Sequence, residues 1–310
     1  MDNRTVANLK KYGFAKGAGN ILMPHEVLEL KKFINELFED ESIHIETSSN
    51  DSSILTILGR NPRIDQLLEK IICHEDVQFV LSQVLGCDFK IWEVLVRRSD
   101  PGNTGIGLHQ DALGQTNLVF SLSDNLSGSG ATAFFSKSHI LPRWVVSRIS
   151  WYPMWIASYL LTPLKLECGD SAIFFNRTWH ARLVNNTSQF HDVIMIGIFP
   201  QGGLYGPPKW IQDRLERWQG SPLHRLLDAS VGTRVMEDGR FQVISQQNNQ
   251  INESYAMSLE SGKCEYRDWD QMLLYFKLIF LELVFFPLRL MYRLLRALLR
   301  PLIHLARAKI

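Results

Sequence analysis

The sequence after Lys90 contains the short apolar runs that decide the fold: IWEVLV (residues 91–96), TNLVFSLS (116–123), ATAFFS (131–136), SAIFF (171–175) and DVIMIGIF (192–199). Runs of this length, rich in β-branched and aromatic residues and bounded by Gly, Asn, Ser and Asp, are typical of strands. Before Lys90, apolar residues recur at helical spacing instead. Helices followed by many short strands predict a closed or two-sheet β core with helices packed outside it.

Two helices are predicted upstream of the strands. The first begins at Pro24, a residue favoured in the first turn of a helix, and its apolar positions run from Val27 to Leu37. The second is an amphipathic run from Asp65 to Leu85, and Gly86 is a suitable C-terminal stop. The polar residues 74–76 fall inside this run and are predicted to form a solvated helix face.

Composition excludes several classes of protein. The 310 residues carry 33 Lys and Arg against 32 Asp and Glu, a net charge of +1, so a generally basic nucleic-acid binder is not indicated. The four cysteines form no C-x-x-C pair, which argues against a zinc ribbon and a thioredoxin motif. The N-terminus lacks an apolar signal-peptide core. We therefore predict a cytoplasmic protein with free thiols and no nucleic-acid partner.

The strongest local motif is GLHQDALG (residues 107–114), in which His109 and Asp111 are two positions apart. In an extended strand, residues two apart point to the same face, so an imidazole and a carboxylate converge. A third candidate ligand, His180, follows the strand-like run SAIFF. Two histidines and one carboxylate form the facial triad of non-haem Fe(II) oxygenases, which leaves positions open for cosubstrate and dioxygen. A structural zinc site would close all four positions with protein ligands.

The flanking motifs support this interpretation. They are KYGF (11–14) with MPHEV (23–27), the H-x-D motif itself, SKSH (136–139), and a Gly169-Asp170 turn followed by His180 and NNTS (185–188). In this order and spacing they resemble the phytanoyl-CoA dioxygenase-like family of Fe(II)- and 2-oxoglutarate-dependent oxygenases. The resemblance covers residues 9–200, about two-thirds of the chain.

The resemblance implies a mainly β fold with flanking helices, whose core is a double-stranded β-helix, a cupin-like jelly roll. It implies Fe(II) bound by His109, Asp111 and His180, with 2-oxoglutarate as cosubstrate. Oxidative decarboxylation of 2-oxoglutarate to succinate would then be coupled to hydroxylation of a substrate. Because halogenating relatives have Ala or Gly at the carboxylate position, Asp111 favours hydroxylation.

One position departs from the family pattern. The family has an arginine eleven residues after the distal histidine, where it pairs with the distal carboxylate of 2-oxoglutarate, and this sequence has His191 there. We predict that His191, with Ser188 close before it, binds the cosubstrate, and Arg182 and Arg97 are the alternatives. The missing arginine also leaves open a non-catalytic metal- or ligand-binding jelly-roll protein. His139, in the SKSH turn, is predicted to be a structural loop residue.

The sequence predicts three regions. Residues 1–240 form the oxygenase-like domain, with a Trp-rich insertion at 139–167; a polar linker spans 241–268; a hydrophobic and basic tail spans 269–310. All the acidic residues precede Pro287, and six basic residues follow it. Arg289, Arg293, Arg296 and Arg300 fall on one stripe of an amphipathic helix, a pattern suited to an anionic membrane surface.

The sequence therefore predicts a cytoplasmic, peripherally membrane-associated dioxygenase that hydroxylates a hydrophobic small-molecule or lipid-like substrate. The substrate class rests on the Trp-rich insertion and the apolar tail. Two alternatives remain open: a non-catalytic jelly-roll binding protein, and a membrane scaffold whose barrel is vestigial. The tail could instead pack on the barrel or on a second subunit, so the oligomeric state is left open.

Overall fold

The structure, a computed structural model, describes most of the chain up to residue 228 and scattered positions beyond it. The described residues are 3–17, 19, 21–47, 52–86, 88–111, 114–124, 128–141, 160–200, 206–228, 233–235, 241–243, 255–256, 259, 273, 276–278, 280, 283–284, 286–287 and 291. The chain divides into two compact units. The first contains Met1–Ile140 and Tyr152–Cys264, and the second contains Leu141–Trp151 and Glu265–Ile310.

Helices occupy much of the region before the strands. They are α1 (Asn3–Tyr12), α2 (Pro24–Glu39), α3 (Pro62–Ile72) and α4 (Glu75–Leu85), and two short helices follow the barrel, α5 (Lys209–Gln212) and α6 (Pro222–Leu227). The predicted helix at Pro24 is confirmed, and Gly86 caps α4 with φ +83°.

The predicted single helix from Asp65 to Leu85 is wrong, because it is broken at Cys73 and His74 into α3 and α4. His74 is the N-cap of α4, and its Nδ1 accepts a hydrogen bond from the backbone N–H of Asp76. These residues therefore start a helix, and they are exposed or partly exposed, as predicted for a solvated face. Helix α1 was not predicted.

The strands form two facing antiparallel sheets. The strands are β1 (Phe14–Lys16), β2 (Glu46–Thr47), β3 (Ser52–Thr56), β4 (Phe89–Ser99), β5 (Ile106–His109), β6 (Thr116–Ser121), β7 (Thr132–Phe134), β8 (Thr162–Pro163), β9 (Ser171–Phe175), β10 (His180–Arg182) and β11 (His191–Pro200). Within the described residues, the larger sheet has the order β1-β9-β6-β11-β4-β3-β2, and the smaller has the order β5-β10-β7-β8. A separate hairpin joins β12 (Thr233–Val235) to β13 (Phe241–Val243).

Each face of the larger sheet is covered by a different layer. On its outer face, alternate residues of the central strands, such as Ile194 and Phe120, share one buried cluster with Leu30 of α2 and Leu67 of α3. Its inner face packs on the smaller sheet through a second cluster: Val119, Phe134, Leu164, Leu166, Ala172 and Phe174. The ring of Phe14 in β1 stacks on that of Phe134 in β7, with centroids 4.5 Å apart. The predicted jelly-roll core with flanking helices is confirmed.

The structure covers the insertion and the tail only in part. Residues 142–159 of the Trp-rich insertion lie outside the described residues, whereas Thr162–Pro163 pairs with β7 as an edge strand of the smaller sheet. In the tail, the described positions are helical. All six basic residues after Pro287, and with them the predicted arginine stripe, lie outside the described residues; Met291 is described. No helix in the described part of the chain is long and apolar enough to cross a membrane.

Candidate metal centre

Two strands of the smaller sheet bring the predicted histidines together. His109 is the last residue of β5 and His180 the first of β10, and the antiparallel register places them directly opposite each other. Their ring centroids are 4.4 Å apart. Thus strand pairing alone joins two residues that are 71 positions apart in the sequence, since it fixes both rings on one face of the sheet.

Asp111 completes the cluster from just beyond β5. Its Oδ1 lies 3.5 Å from His109 Nε2, and its Oδ2 lies 3.2 Å from His180 Nε2. The ligand atoms of the three side chains all lie within 4.8 Å of one another. The prediction assumed that Asp111 shares a strand with His109; β5 in fact ends at His109, and the following turn carries the carboxylate to the same point.

Backbone carbonyls orient both imidazoles. His109 Nδ1 lies 2.8 Å from the carbonyl oxygen of Gly107, and His180 Nδ1 lies 2.8 Å from that of Thr178. A carbonyl only accepts, so each Nδ1 carries a proton and donates it, and Nε2 is the nitrogen that faces Asp111. When protonated, Nε2 donates to the carboxylate; when it loses that proton, its lone pair is available to a metal ion. Metal-binding histidines are typically held in this way, and the arrangement therefore fits a metal ion.

The protonation states of the cluster are coupled. Burial acts to raise the pKa of Asp111, but hydrogen bonds from His109 and His180 outweigh it and hold that pKa well below its usual range. For His109, burial lowers the pKa, whereas the hydrogen bond to Asp111 and its charge raise it, with a net increase. The carboxylate is thus ionised across the physiological range, as a metal ligand must be.

A basic group of side chains lines the same cavity beside the triad. It consists of Arg97 in β4, Arg182 in β10 and His191 in β11. Burial, followed by the charge of Arg97, lowers the pKa of Arg182 to about 10, so its guanidinium stays charged at neutral pH. Burial also lowers the pKa of His191, and the charge of Arg182 acts in the same direction. The His191 imidazole is therefore neutral at neutral pH.

The other predicted residues lie in different surroundings. Ser188 is exposed and lines a separate surface cavity with Lys31 and Asp124, and His191 borders both cavities. His139 is fully buried in a 3₁₀ turn, where its Nε2 lies 3.0 Å from the carbonyl oxygen of Lys10. Burial lowers the pKa of His139 to about 4, and it is not part of the metal cluster, as predicted for a structural residue.

Two residues that face the interior of the barrel were not predicted from the sequence. Ser99 lines the metal cavity, and Glu93 lies opposite Gly197 of β11 on the same strand as Arg97. The alternation Glu93, Arg97, Ser99 along one strand is the signal that could have found them, because odd-numbered positions of a strand share one face. Which face points inward depends on the sheet packing, and the sequence does not supply it.

The sequence matches no protein-family model and no curated protein. Among solved structures, the chain is similar to the non-haem α-ketoglutarate-dependent carbocyclase SnoK from nogalamycin biosynthesis, at 15% identity and a TM-score of 0.56, over 70% of this chain and 90% of that one. It is also similar to the epimerase SnoN in complex with Fe³⁺, α-ketoglutarate and nogalamycin RO, at 15% identity and a TM-score of 0.56, over 79% of this chain and 96% of that one.

A third similar structure is HygX from Streptomyces hygroscopicus with nickel and 2-oxoglutarate bound, at 13% identity and a TM-score of 0.52, over 64% of this chain and 87% of that one. At such low identity, these similarities establish the fold of this chain, and its chemistry has to be argued from its own residues.

Proposed function

We propose that this protein is an Fe(II)- and 2-oxoglutarate-dependent oxygenase, related to the phytanoyl-CoA dioxygenase-like family, that hydroxylates a hydrophobic small molecule. The observation that carries the proposal is the convergence of His109, Asp111 and His180 at one end of a cavity with basic side chains at its other end. Two similar structures, SnoN in complex with Fe³⁺ and α-ketoglutarate and HygX with nickel and 2-oxoglutarate bound, support the same chemistry.

The residues of the triad fit Fe(II). Two imidazole nitrogens and one ionised carboxylate are the donor set of the facial triad, which leaves the opposite side of the metal open. Iron and 2-oxoglutarate bound here would supply the oxidation, in which 2-oxoglutarate and dioxygen become succinate and carbon dioxide while one oxygen atom enters the substrate. The carboxylate of Asp111 occupies a position that a halide would otherwise take, which favours hydroxylation.

The lining of the cavity supports an apolar substrate. Ile106, Phe174, Val193 and Met195 contribute apolar side chains beside the triad. Phe174 also packs on the His180 ring, with centroids 5.1 Å apart. This apolar wall therefore holds the His180 imidazole in place and also excludes water from the cavity. The aromatic composition of the Trp-rich insertion at 139–167 also favours a hydrophobic or lipid-like molecule.

The experiment compares metal content and succinate formation. We expect His180→Ala and Asp111→Ala to lose bound iron, because removal of a direct ligand costs more than the roughly 10- to 100-fold loss from removing a residue that only orients one. Purified protein is reconstituted with Fe(II) without oxygen, and then succinate formed from 2-oxoglutarate in air is quantified. His25→Ala, which removes an exposed histidine of α2, is the matched control and is expected to retain iron and activity.

The alternative functions give different results in this experiment. A non-catalytic binding protein, the alternative raised by His191 at the arginine position, would retain iron in the wild type and form no succinate. A scaffold with a vestigial barrel would hold no stoichiometric iron at all. Iron content equal to wild type in both triad variants would contradict the ligand assignment itself.

We also propose that the C-terminal tail attaches the protein to an anionic membrane surface. Leu273, Phe276, Phe280 and Leu283 follow one another at spacings of three and four in helical positions, and they are 55–71% exposed. Such spacing places them on one face of a helix. The six basic residues after Pro287, with no acidic residue among them, complement anionic headgroups. An apolar face beside a basic segment is typical of a helix that lies in the membrane interface.

A further inference from the structure

The basic side of the metal cavity contains buried polar atoms that no hydrogen bond satisfies within the described part of the chain. They are Nε of Arg97, Nε and Nη1 of Arg182, Nε2 of His191 and the hydroxyl of Ser99. All four side chains line the cavity that also contains the triad. Because a buried polar group without a partner costs free energy, a cluster of them facing one cavity indicates a ligand that accepts their hydrogen bonds.

The two sheets supply this cluster from opposite walls. Arg97 and Ser99 share one face of β4, and Ser99 pairs with His191 in the register of the larger sheet. Arg182 comes from the smaller sheet and is two residues after His180 on β10. Two residues of strand correspond to about 7 Å, so the basic cluster lies one short carbon chain away from the metal ligands.

The charges of the cluster are not balanced in the way that other buried arginines of this protein are. Arg98, the next residue after Arg97, donates two hydrogen bonds to the carboxylate of Asp192, at 2.9 and 2.7 Å. Arg182 instead donates to the neutral amide oxygen of Asn103, at 2.8 Å, and the residue has a relative exposure of 8%. The charge of Asp100 favours the Arg182 guanidinium, but burial and the charge of Arg97 outweigh it. A carboxylate placed between Arg97 and Arg182 would relieve their mutual repulsion.

We propose that Arg182, together with Arg97 and Ser99, binds the distal carboxylate of 2-oxoglutarate, and that His191 adds a hydrogen bond as a neutral imidazole. This inference rests on the proposed function. It moves the charged anchor from position 191, where the family resemblance places it, to the strand that carries His180. The guanidinium fork of Arg182 suits a carboxylate because it offers two parallel N–H donors and remains charged. Ser99, and not the exposed Ser188, supplies the hydroxyl.

The test measures the dissociation constant of 2-oxoglutarate from Fe(II)-loaded, full-length protein without oxygen, by calorimetry and by the visible absorption of the complex. We expect Arg182→Gln to weaken 2-oxoglutarate binding roughly 10- to 150-fold, the loss of a charged hydrogen bond. Arg182→Lys, which retains the charge but not the fork, is expected to fall between this variant and wild type. Arg97→Gln is expected to weaken binding less than Arg182→Gln, because Arg97 has one buried nitrogen without a partner and Arg182 has two.

A matched ligand and a matched variant separate anchoring from damage to the fold. 2-Oxopentanoate has the same five carbons without the distal carboxylate, so Arg182→Gln is expected to bind it as wild type does. Arg98→Gln removes a neighbouring arginine that is already paired, and its affinity for 2-oxoglutarate is expected to equal that of wild type. In a Glu93→Gln background, where the carboxyl that interacts with Arg97 no longer titrates, affinity is also expected to stay flat between pH 6 and 8, since arginine carries the charge.

Two results would overturn the proposal. If Arg182→Gln and Arg97→Gln both bind 2-oxoglutarate as wild type does, while wild type forms succinate, the anchor lies elsewhere and the oxygenase function stands. If affinity instead weakens as pH rises through the histidine range and His191→Ala abolishes binding, His191 is the charged anchor. An iron-loaded wild type that binds no 2-oxoglutarate would refute the proposed function together with this inference.

Discussion

Single hydrogen bonds decide what the histidines of the barrel do. His109 and His180 each donate Nδ1–H to a carbonyl two residues earlier in the chain, and this leaves both Nε2 atoms facing Asp111. His139 has its Nε2 beside the carbonyl of Lys10 and is packed against the ring of Phe175, so it stays neutral inside the core. Residue type therefore does not distinguish a metal ligand from a structural histidine, whereas the partner of each ring nitrogen does.

Glu93 is a second residue whose role depends on its surroundings. Burial raises the pKa of its carboxyl from 4.5 to about 7, against the charge of Arg97 and a hydrogen bond from Gln115, and the charge of Asp111 raises it further. The Gln115 amide lies 3.3 Å from the carboxylate and also donates to Asn117 at 2.9 Å. Between about pH 4.5 and 7, the folded protein thus holds a proton on Glu93 that the unfolded chain has lost.

This difference predicts a pH dependence of stability in the metal-free protein. Because the folded pKa is raised, the stabilisation is fully present below pH 4.5 and is lost as pH rises through about 7. Glu93→Gln is therefore expected to lose less free energy of unfolding than wild type between pH 5.5 and 8, by at most about 2 kcal/mol. Urea unfolding at the two pH values measures the difference.

Glu41→Gln, which changes an exposed turn residue, is the control for Glu93 and is expected to follow the pH profile of wild type. A Glu93→Gln profile that parallels wild type would show that the carboxyl is ionised in the folded state. Metal-free protein is used because a cation on Asp111 would lower the pKa of Glu93 by its own charge.

At the scale of elements, the turn between α1 and β1 supports the strand that carries His180. The carbonyl of Gly13 accepts hydrogen bonds from the Thr178 hydroxyl, at 2.8 Å, and from the backbone N–H of Phe175, at 3.0 Å. Gly13 has φ +87°, and a Cβ there would lie 2.4 Å from Thr178 Oγ1 and 2.6 Å from His139 Nδ1. Only glycine allows the N-terminal segment to approach this closely.

Gly13→Ala is therefore expected to destabilise the fold by more than the backbone conformation alone requires. A left-handed alanine costs about 1–2 kcal/mol, and the contacts with Thr178 and His139 add to that cost. Gly220→Ala, at φ +83° in the turn closed by Ser221 N–H and the Trp218 carbonyl and with nothing within 4 Å of the added Cβ, is the matched variant that isolates the cost of the backbone conformation. Urea denaturation compares the two, and equal losses would mean that the neighbours of Gly13 move aside freely.

At the scale of the whole molecule, the barrel and the tail contain different kinds of surface. The described part of the barrel buries its large apolar residues between the sheets and under the helices. The tail instead exposes Phe276, Phe280 and Leu283 in helical positions. A cluster of exposed large apolar side chains is uncommon on a soluble monomer and indicates an interaction surface.

Deletion of residues 269–310 is expected to abolish binding to anionic vesicles while the iron content of the protein stays the same. The reason is that apolar contact and six basic charges are both lost with the tail. The combined substitution Phe276→Ser and Phe280→Ser is expected to weaken binding in the full chain. Flotation with phosphatidylglycerol vesicles measures the bound fraction, and 1 M salt is expected to reduce it, because the screening length falls to about 3 Å.

Leu28→Ser is the control for the tail variant, since Leu28 is 66% exposed on α2, far along the chain from the tail. If the protein binds phosphatidylcholine vesicles as strongly as phosphatidylglycerol vesicles, the basic residues do not contribute to membrane binding. A wild-type protein that ignores both vesicles and is dimeric in their absence would make the tail a subunit interface.

The sequence by itself predicted the strands of the core and three candidate metal ligands that the structure brings together. The apolar runs predicted the strands, and the spacing of His109 and Asp111 predicted their convergence, because local backbone geometry fixes side-chain direction over two residues. The flanking motifs then connected His180 to them. Local reasoning failed at His74, where a capping side chain divides a helix that apolar periodicity alone treats as continuous.

Only the tertiary structure decided how the basic end of the cavity is built. Arg97 and Ser99 of β4, Arg182 of β10 and His191 of β11 come from two different sheets, and no local periodicity shows that these three strands meet at one cavity. Strand pairing places His191 beside Ser99, and packing of the two sheets turns Arg182 toward the same cavity. The physical reason is that hydrogen-bond register and sheet packing act between distant segments, so they fix neighbours that local periodicity cannot encode.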